Sequence, residues 1–134
     1  MKRGIFALTA GLLAGCASGT IRDDGVLAGT TWGVERIDEV PADHAATTLR
    51  FVSESRVSGR AGCNQYAGAA QLGARTLRIS ETLATSMACE PAIMQQEQRF
   101  LTALGAVRSF RREGDRLLLM DDGQHVRVRL GPLH

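Results

Sequence analysis

The chain has 134 residues, with 16 basic against 14 acidic side chains, 44% apolar residues and few aromatics. Lys2 and Arg3 account for the whole excess of +2, so the chain beyond them is neutral and lacks the basic footprint that nucleic-acid binding needs. The length suits one modest domain with a core of Leu, Ile, Val and Ala, completed by Trp32, Phe51, Tyr66, Phe100 and Phe110.

The first element is an export signal. Lys2-Arg3, an apolar run from Ile5 to Ala14 and then small residues follow the order of a secretory leader, and the run is far short of the ~20 residues that span a bilayer. Leu13-Ala14-Gly15-Cys16 resembles a bacterial lipobox, which implies cleavage before Cys16 and lipid on its thiol. Residues 1–15 are therefore expected as signal peptide, 16–26 as a lipidated tether and 27–134 as the folded domain. Cysteine arithmetic agrees: Cys63 and Cys89 can pair with each other, and an unacylated Cys16 would be an odd thiol in an oxidising compartment. In the lipoproteins that this leader resembles, Ala17 would not retain the protein at the inner membrane. The expected address is the bacterial cell envelope, at the outer membrane facing the periplasm.

Beyond the tether, short runs with β-branched or alternating apolar residues, parted by Gly, Pro and Asp turns, predict strands. They are Thr31 to Ile37, Thr48 to Val52, Arg56 to Ala61, Ala67 to Leu72, Thr76 to Ile79, Val107 to Arg111, Arg116 to Met120 and Val126 to Leu130. The clearest hairpin joins the last two, with glycines supplying positive φ in Glu113-Gly114-Asp115 and Asp121-Asp122-Gly123. In the last strand Val126, Val128 and Leu130 share one face, and Arg127 and Arg129 share a face turned to solvent. One segment changes period. From Pro91 to Leu104 the residues Ile93, Met94, Phe100, Leu101 and Leu104 fall at helical spacing, with Pro91 in the first turn, Met94 as core filler and Gly105 as a left-handed cap. The fold expected is mainly β within the α+β class: a small antiparallel β-barrel or strongly curved sheet with one α-helix packed on it.

The segment Gly59-Arg60-Ala61-Gly62-Cys63-Asn64-Gln65-Tyr66-Ala67-Gly68, followed by Met87-Ala88-Cys89 and Glu97, resembles the META domain of the HslJ-like bacterial lipoproteins. Ala69-Ala70 and Thr85-Ser86 depart from that pattern. The resemblance implies the same curved sheet with one helix, and it marks Gly59, Gly62, Asn64, Tyr66, Gly68, Met87, Ala88 and Glu97 as the family motif. From their chemistry, Gly62 and Gly68 fit tight backbone approaches and Asn64 fits a left-handed or Asx-turn geometry. A Cys63–Cys89 bond would tie the glycine-rich corner to the segment entering the helix.

Chemistry-bearing patterns are sparse. The chain has no closely spaced cysteine pair for redox work, and His44, His125 and His134 lack a second ligand nearby. Asp121-Asp122-Gly123 lacks the alternating ligands of a calcium loop, and no nucleophile elbow, phosphate loop or dinucleotide fingerprint is found. No catalytic residue, metal or cofactor is expected. The sequence points to a non-enzymatic, monomeric envelope lipoprotein which, by resemblance, protects or maintains the envelope under stress through binding. The alternatives are a carrier holding a small hydrophobic ligand inside its barrel, and an inhibitor or partner-binding module using loops near Pro41 to Ala46.

Overall fold

The computed structural model describes residues 26–133, together with Gly4 and Gly11. The signal peptide expected over residues 1–15, lipidation of Cys16, and the tether up to Gly25 lie outside the described residues, apart from those two glycines.

The strands are β1 (Thr31–Ile37), β2 (Val40–Pro41), β3 (Thr48–Ser53), β4 (Arg56–Arg60), β5 (Gln65–Leu72), β6 (Leu77–Ala84), β7 (Ser109–Glu113), β8 (Arg116–Met120) and β9 (Val126–Pro132), with helix α1 (Pro91–Ala106) between β6 and β7. All pair antiparallel in one sheet of order β6-β5-β4-β3-β1-β9-β8-β7, with β2 as a short flap on β1. The sheet curls because its ladders are interrupted, between Val34 and Arg36, Phe51 and Ser53, Ala67 and Ala69, and Leu119 and Met120; such irregularities bend a strand and increase its twist. The curl brings the two ends of the sheet together at one point. There Thr76 bridges Ser109, Leu77 N–H donates to Arg108 C=O (3.1 Å) and Phe110 N–H donates to Arg75 C=O (3.0 Å). The result is a half-barrel with one helix packed on it, as the period-two runs and the single helical run predict.

Alternation fills the concave side: Leu49 and Phe51 of β3, Leu117 and Leu119 of β8, and Val128 and Leu130 of β9 all face inward at 0% exposure. Helix α1 adds Phe100, Ala103 and Leu104, also at 0%. Among the described residues the concave side is thus packed with the protein's own side chains. On the convex side Leu118 of β8 is buried too, and it lines a small depression together with Glu35, Arg36, Arg116 and Arg129. Arg127 and Arg129 are paired rather than simply solvated: Arg127 Nε donates to Asp38 at 2.5 Å and Arg129 Nε to Glu39 at 3.1 Å.

Several expectations need correction. Helix α1 runs through Gly105 to Ala106 and stops where Val107 turns extended, its N–H donating to Leu104 C=O; Gly105 is not a left-handed cap. Pro91 does begin the helix, with Glu90 as the cap residue. Met94 is half-exposed and Ile93 exposed, because the first turn lies over the glycine corner at Gly62 instead of the apolar sheet. The 121–124 turn takes its positive φ at Gln124, not Gly123: Asp121 Oδ1 accepts the N–H groups of Gly123 (2.9 Å) and His125 (3.0 Å), which frees the glycine from that duty. Strand β5 starts at Gln65 and β6 runs on to Ala84, both longer than predicted, while β7 starts only at Ser109.

Candidate functional site

The family motif converges on one corner. The chain leaves β4 at Arg60, turns through Gly62 at φ +130°, a conformation that side chains rarely adopt, and enters β5 at Gln65. The turn leaves the N–H groups of Cys63 and Asn64 pointing inward, away from any strand partner. Glu97, 3% exposed on the underside of α1, meets them. Its Oε1 accepts Asn64 N–H at 2.7 Å and Cys63 N–H at 3.2 Å, and its Oε2 accepts Asn64 Nδ2 at 2.8 Å.

Asn64, 2% exposed, is the hub. Besides the bond to Glu97, its Nδ2 donates to Met87 C=O (3.1 Å), and its Oδ1 accepts Thr85 Oγ1–H (2.8 Å) and Met87 N–H (2.6 Å). Both donors and both acceptor positions of the amide are used, so its orientation is fixed. Asn64 does not take a left-handed backbone; the sequence reading is corrected here, since the side chain satisfies a neighbouring segment and not its own turn. The segment so held, Thr85 to Cys89, is exposed throughout and has no ladder of its own beyond β6. Met87 acts through its backbone, its side chain being 55% exposed, and nothing in the structure explains Ala88. The Cys63–Cys89 disulfide closes the same corner with a Cα–Cα distance of 6.0 Å.

The remaining motif residues shape the neighbouring ladder. Tyr66 stands opposite Gly59 and reaches across it to donate its hydroxyl proton to Thr48 C=O at 2.7 Å. A Cβ at Gly59 would sit 2.2 Å from that same carbonyl oxygen, so only glycine leaves the path open. The Tyr66 ring meets Phe100 edge-on at 5.5 Å, and burial pushes its phenol pKa well above the ordinary value. Gly68 has ordinary φ; a Cβ there would stand 3.1 Å from Ser80 C=O and 3.2 Å from Thr82 Oγ1, at the β5–β6 irregularity. Gly68 therefore marks close approach, as the sequence suggests, and Gly59 does so as well; Gly62, of which the same was expected, instead marks conformation, with no atom nearer than 3.5 Å to a Cβ placed there.

Chemically, the corner binds its own chain. Every oxygen of Glu97 is turned onto N–H donors of the protein, which stabilises the turn and leaves no oxygen directed at a substrate. Sequence reasoning reaches Glu97 only through the family resemblance, although one signal was available: Glu97, Phe100 and Leu104 share a helical stripe, so a carboxylate there must be buried and partnered. Elsewhere the His44 ring packs over Gly33, and Arg116 pairs with Glu35 at 2.6 Å. Among the described residues no three His, Cys, Asp or Glu side chains gather as a metal site. Nor, among them, is any helix long and apolar enough to cross a membrane.

A curled antiparallel half-barrel whose glycine corner is locked by one buried Glu–Asn pair and one disulfide is the class that the fold and this corner define. The META domain profile matches residues 25–131, and the chain belongs to the META domain family. Among solved structures, the NMR structure of a protein from Burkholderia xenovorans is 25% identical, with a TM-score of 0.62 over 78% of this chain and 82% of that one. A second NMR structure is 18% identical with a TM-score of 0.61, covering 78% and 90% of the two chains. The crystal structure of a DUF4847 family protein from Bacteroides vulgatus shares the fold at 14% identity, with a TM-score of 0.58 and coverage of 79% and 94%. No curated protein matches the chain.

Proposed function

We propose that the protein is a lipid-anchored envelope protein that works by binding, not turnover, and helps to maintain the envelope under stress. The observation that carries this reading is the fate of the cysteines. Cys63 and Cys89 are bonded to each other, which leaves Cys16, directly after Leu13-Ala14-Gly15, as the odd thiol. A disulfide of this kind belongs in an oxidising compartment, and acylation accounts for the thiol left over. A single acyl chain gives only marginal membrane residence, so a diacylglyceryl group at Cys16 is the anchor that the reading requires. Binding instead of catalysis is supported by the corner itself, where the one buried carboxylate is committed to backbone donors.

The test is mass spectrometry of the N-terminal peptide from the native host. A peptide beginning at Cys16 and carrying acyl mass is expected, with Cys16→Ala releasing the protein from the membrane fraction. An unacylated N-terminus on membrane-bound protein would overturn the anchor. A protein partner is the second reading, favoured by Leu83 at 79% and Met87 at 55% exposure on neighbouring stretches of chain. Crosslinking in intact envelopes that captures one reproducible partner, lost on Leu83→Ser, would establish it.

A further inference from the structure

We infer that the end of the half-barrel at which the chain enters the domain rests on the lipid surface, with Val26, Val52 and Leu133 in the headgroup layer. This placement depends on the lipid anchor proposed at Cys16. Val26 precedes Leu27, whose carbonyl accepts the Thr30 N–H (3.0 Å), and Gly29 N–H donates to Phe51 C=O (2.7 Å), so the entering chain is pinned to the end of β3. Strand β1 then begins with Thr31 opposite Arg50 and Trp32 opposite Pro132. Val52 on β3 and Leu133 after β9 therefore flank the point of entry, one on each side of β1. All three apolar side chains are exposed. Arg50, exposed beside them and without an acidic partner among the described residues, can meet a lipid phosphate. Glu54, and Glu113 and Asp115 at the turn of β7 and β8, lie at the same end, so apolar burial and not net charge drives the contact.

Exposed apolar side chains also occur at the glycine corner, where Met87 and Ile93 stand open, and the length of the tether decides between the two places. Val26 lies ten residues beyond Cys16. Ten residues reach at most ~35 Å when fully extended, and span about 17 Å as a relaxed coil. The corner belongs to the far end of β3, where Thr47 bridges Ala61. From there to Val52 the strand runs about 17 Å, and a domain of this size is roughly 35 Å across. Turning the corner to the lipid would draw the tether out almost fully along the side of the domain, at a cost in chain entropy. Resting on the entry end leaves it relaxed. The anchor thus selects Val26, Val52 and Leu133 for the bilayer and turns Met87 and Ile93 away from it.

The experiment uses the acylated protein, its acyl mass confirmed first, in phosphatidylcholine nanodiscs that carry a spin label at the top of the lipid acyl chain. Amide line broadening is recorded along the domain. Broadening is expected to be strongest at residues 26–30, 52–54 and 133, several-fold above that at Met87 and Ile93. Val52→Ser combined with Leu133→Ser should even out the two ends while the protein stays with the lipid. Both positions are exposed, so a folded variant is expected, and its amide spectrum in unlabelled nanodiscs checks this. Acylated parent protein broadened equally at both ends or more strongly at the corner, or a pattern indifferent to the double substitution, would overturn the placement and leave the anchor standing. A protein without acyl mass would overturn the anchor and the placement with it.

Discussion

Replacing Glu97 by Gln changes one atom and no volume, yet it should be among the most damaging conservative substitutions in the domain. The Gln oxygen can keep facing Cys63 N–H and Asn64 N–H, but its Nε2 then stands where Oε2 accepts Asn64 Nδ2 at 2.8 Å. Two donors would face each other. Asn64 cannot relieve this by flipping its amide, because its Oδ1 is held by Thr85 Oγ1–H and Met87 N–H. Turning the Gln the other way is worse, since its amino group would then oppose two backbone donors. The loss is one charged hydrogen bond outright and weakening of two others from charged to neutral, about 2–4 kcal/mol in all. For a domain of this size that corresponds to a fall in Tm of roughly 10–20 °C. Urea and thermal unfolding of Glu97→Gln beside the parent protein, both with the disulfide intact, measure it. A variant within about 0.5 kcal/mol of the parent, the usual span of an inert surface change, would refute the claim that this pair locks the corner.

Reduction of the Cys63–Cys89 bond releases a loop of 26 residues and should cost roughly 3.5 kcal/mol by chain entropy, read from urea midpoints with and without dithiothreitol. Two glycine substitutions should have opposite signs. Gly59→Ala puts a methyl 2.2 Å from Thr48 C=O and should destabilise by about 2 kcal/mol or more, as overpacking does. Gly105→Ala, inside α1 with nothing within 4 Å of the new carbon, should stabilise by roughly 0.5–1 kcal/mol; calorimetry of both tests the pair. The backbone N–H of His125, helped by that of Gly123 and by the His125 ring, holds the Asp121 carboxyl below the usual carboxylate range. Because the folded value is the lower one, the stability it adds is complete above the ordinary carboxylate pKa and is lost as pH falls through the folded value. Asp121→Asn should therefore flatten the acid limb of the stability–pH curve and leave its shape near neutrality unchanged.

The strands that sequence patterning predicts well are those with one wet face and one dry face. In β3 and β9 the inward Leu49, Phe51, Val128 and Leu130 alternate with polar residues, and the period is legible. The extension of β6 was not, because Ser80 to Ala84 are all exposed and carry no burial pattern; their strand geometry comes from pairing with β5. The same holds for β2, two exposed residues pinned to β1 by their neighbours' turn. Gly105 misled for a related reason: a glycine near a helix end often marks the stop, but here Val107, fully buried, decides where the chain must leave. The corner was half legible. Glycine identity announced special backbone at Gly62 and Gly68, whereas the role of Asn64 depends on partners 23 and 33 residues away, which no local pattern encodes.

The order of the sheet has a consequence for how the protein comes into being. Its first long strand, β1, lies between β3 and β9, so the middle of the sheet closes only after every other strand has been made. Pairing of this non-local kind must close a long stretch of chain before it is rewarded, and it slows the final step of folding.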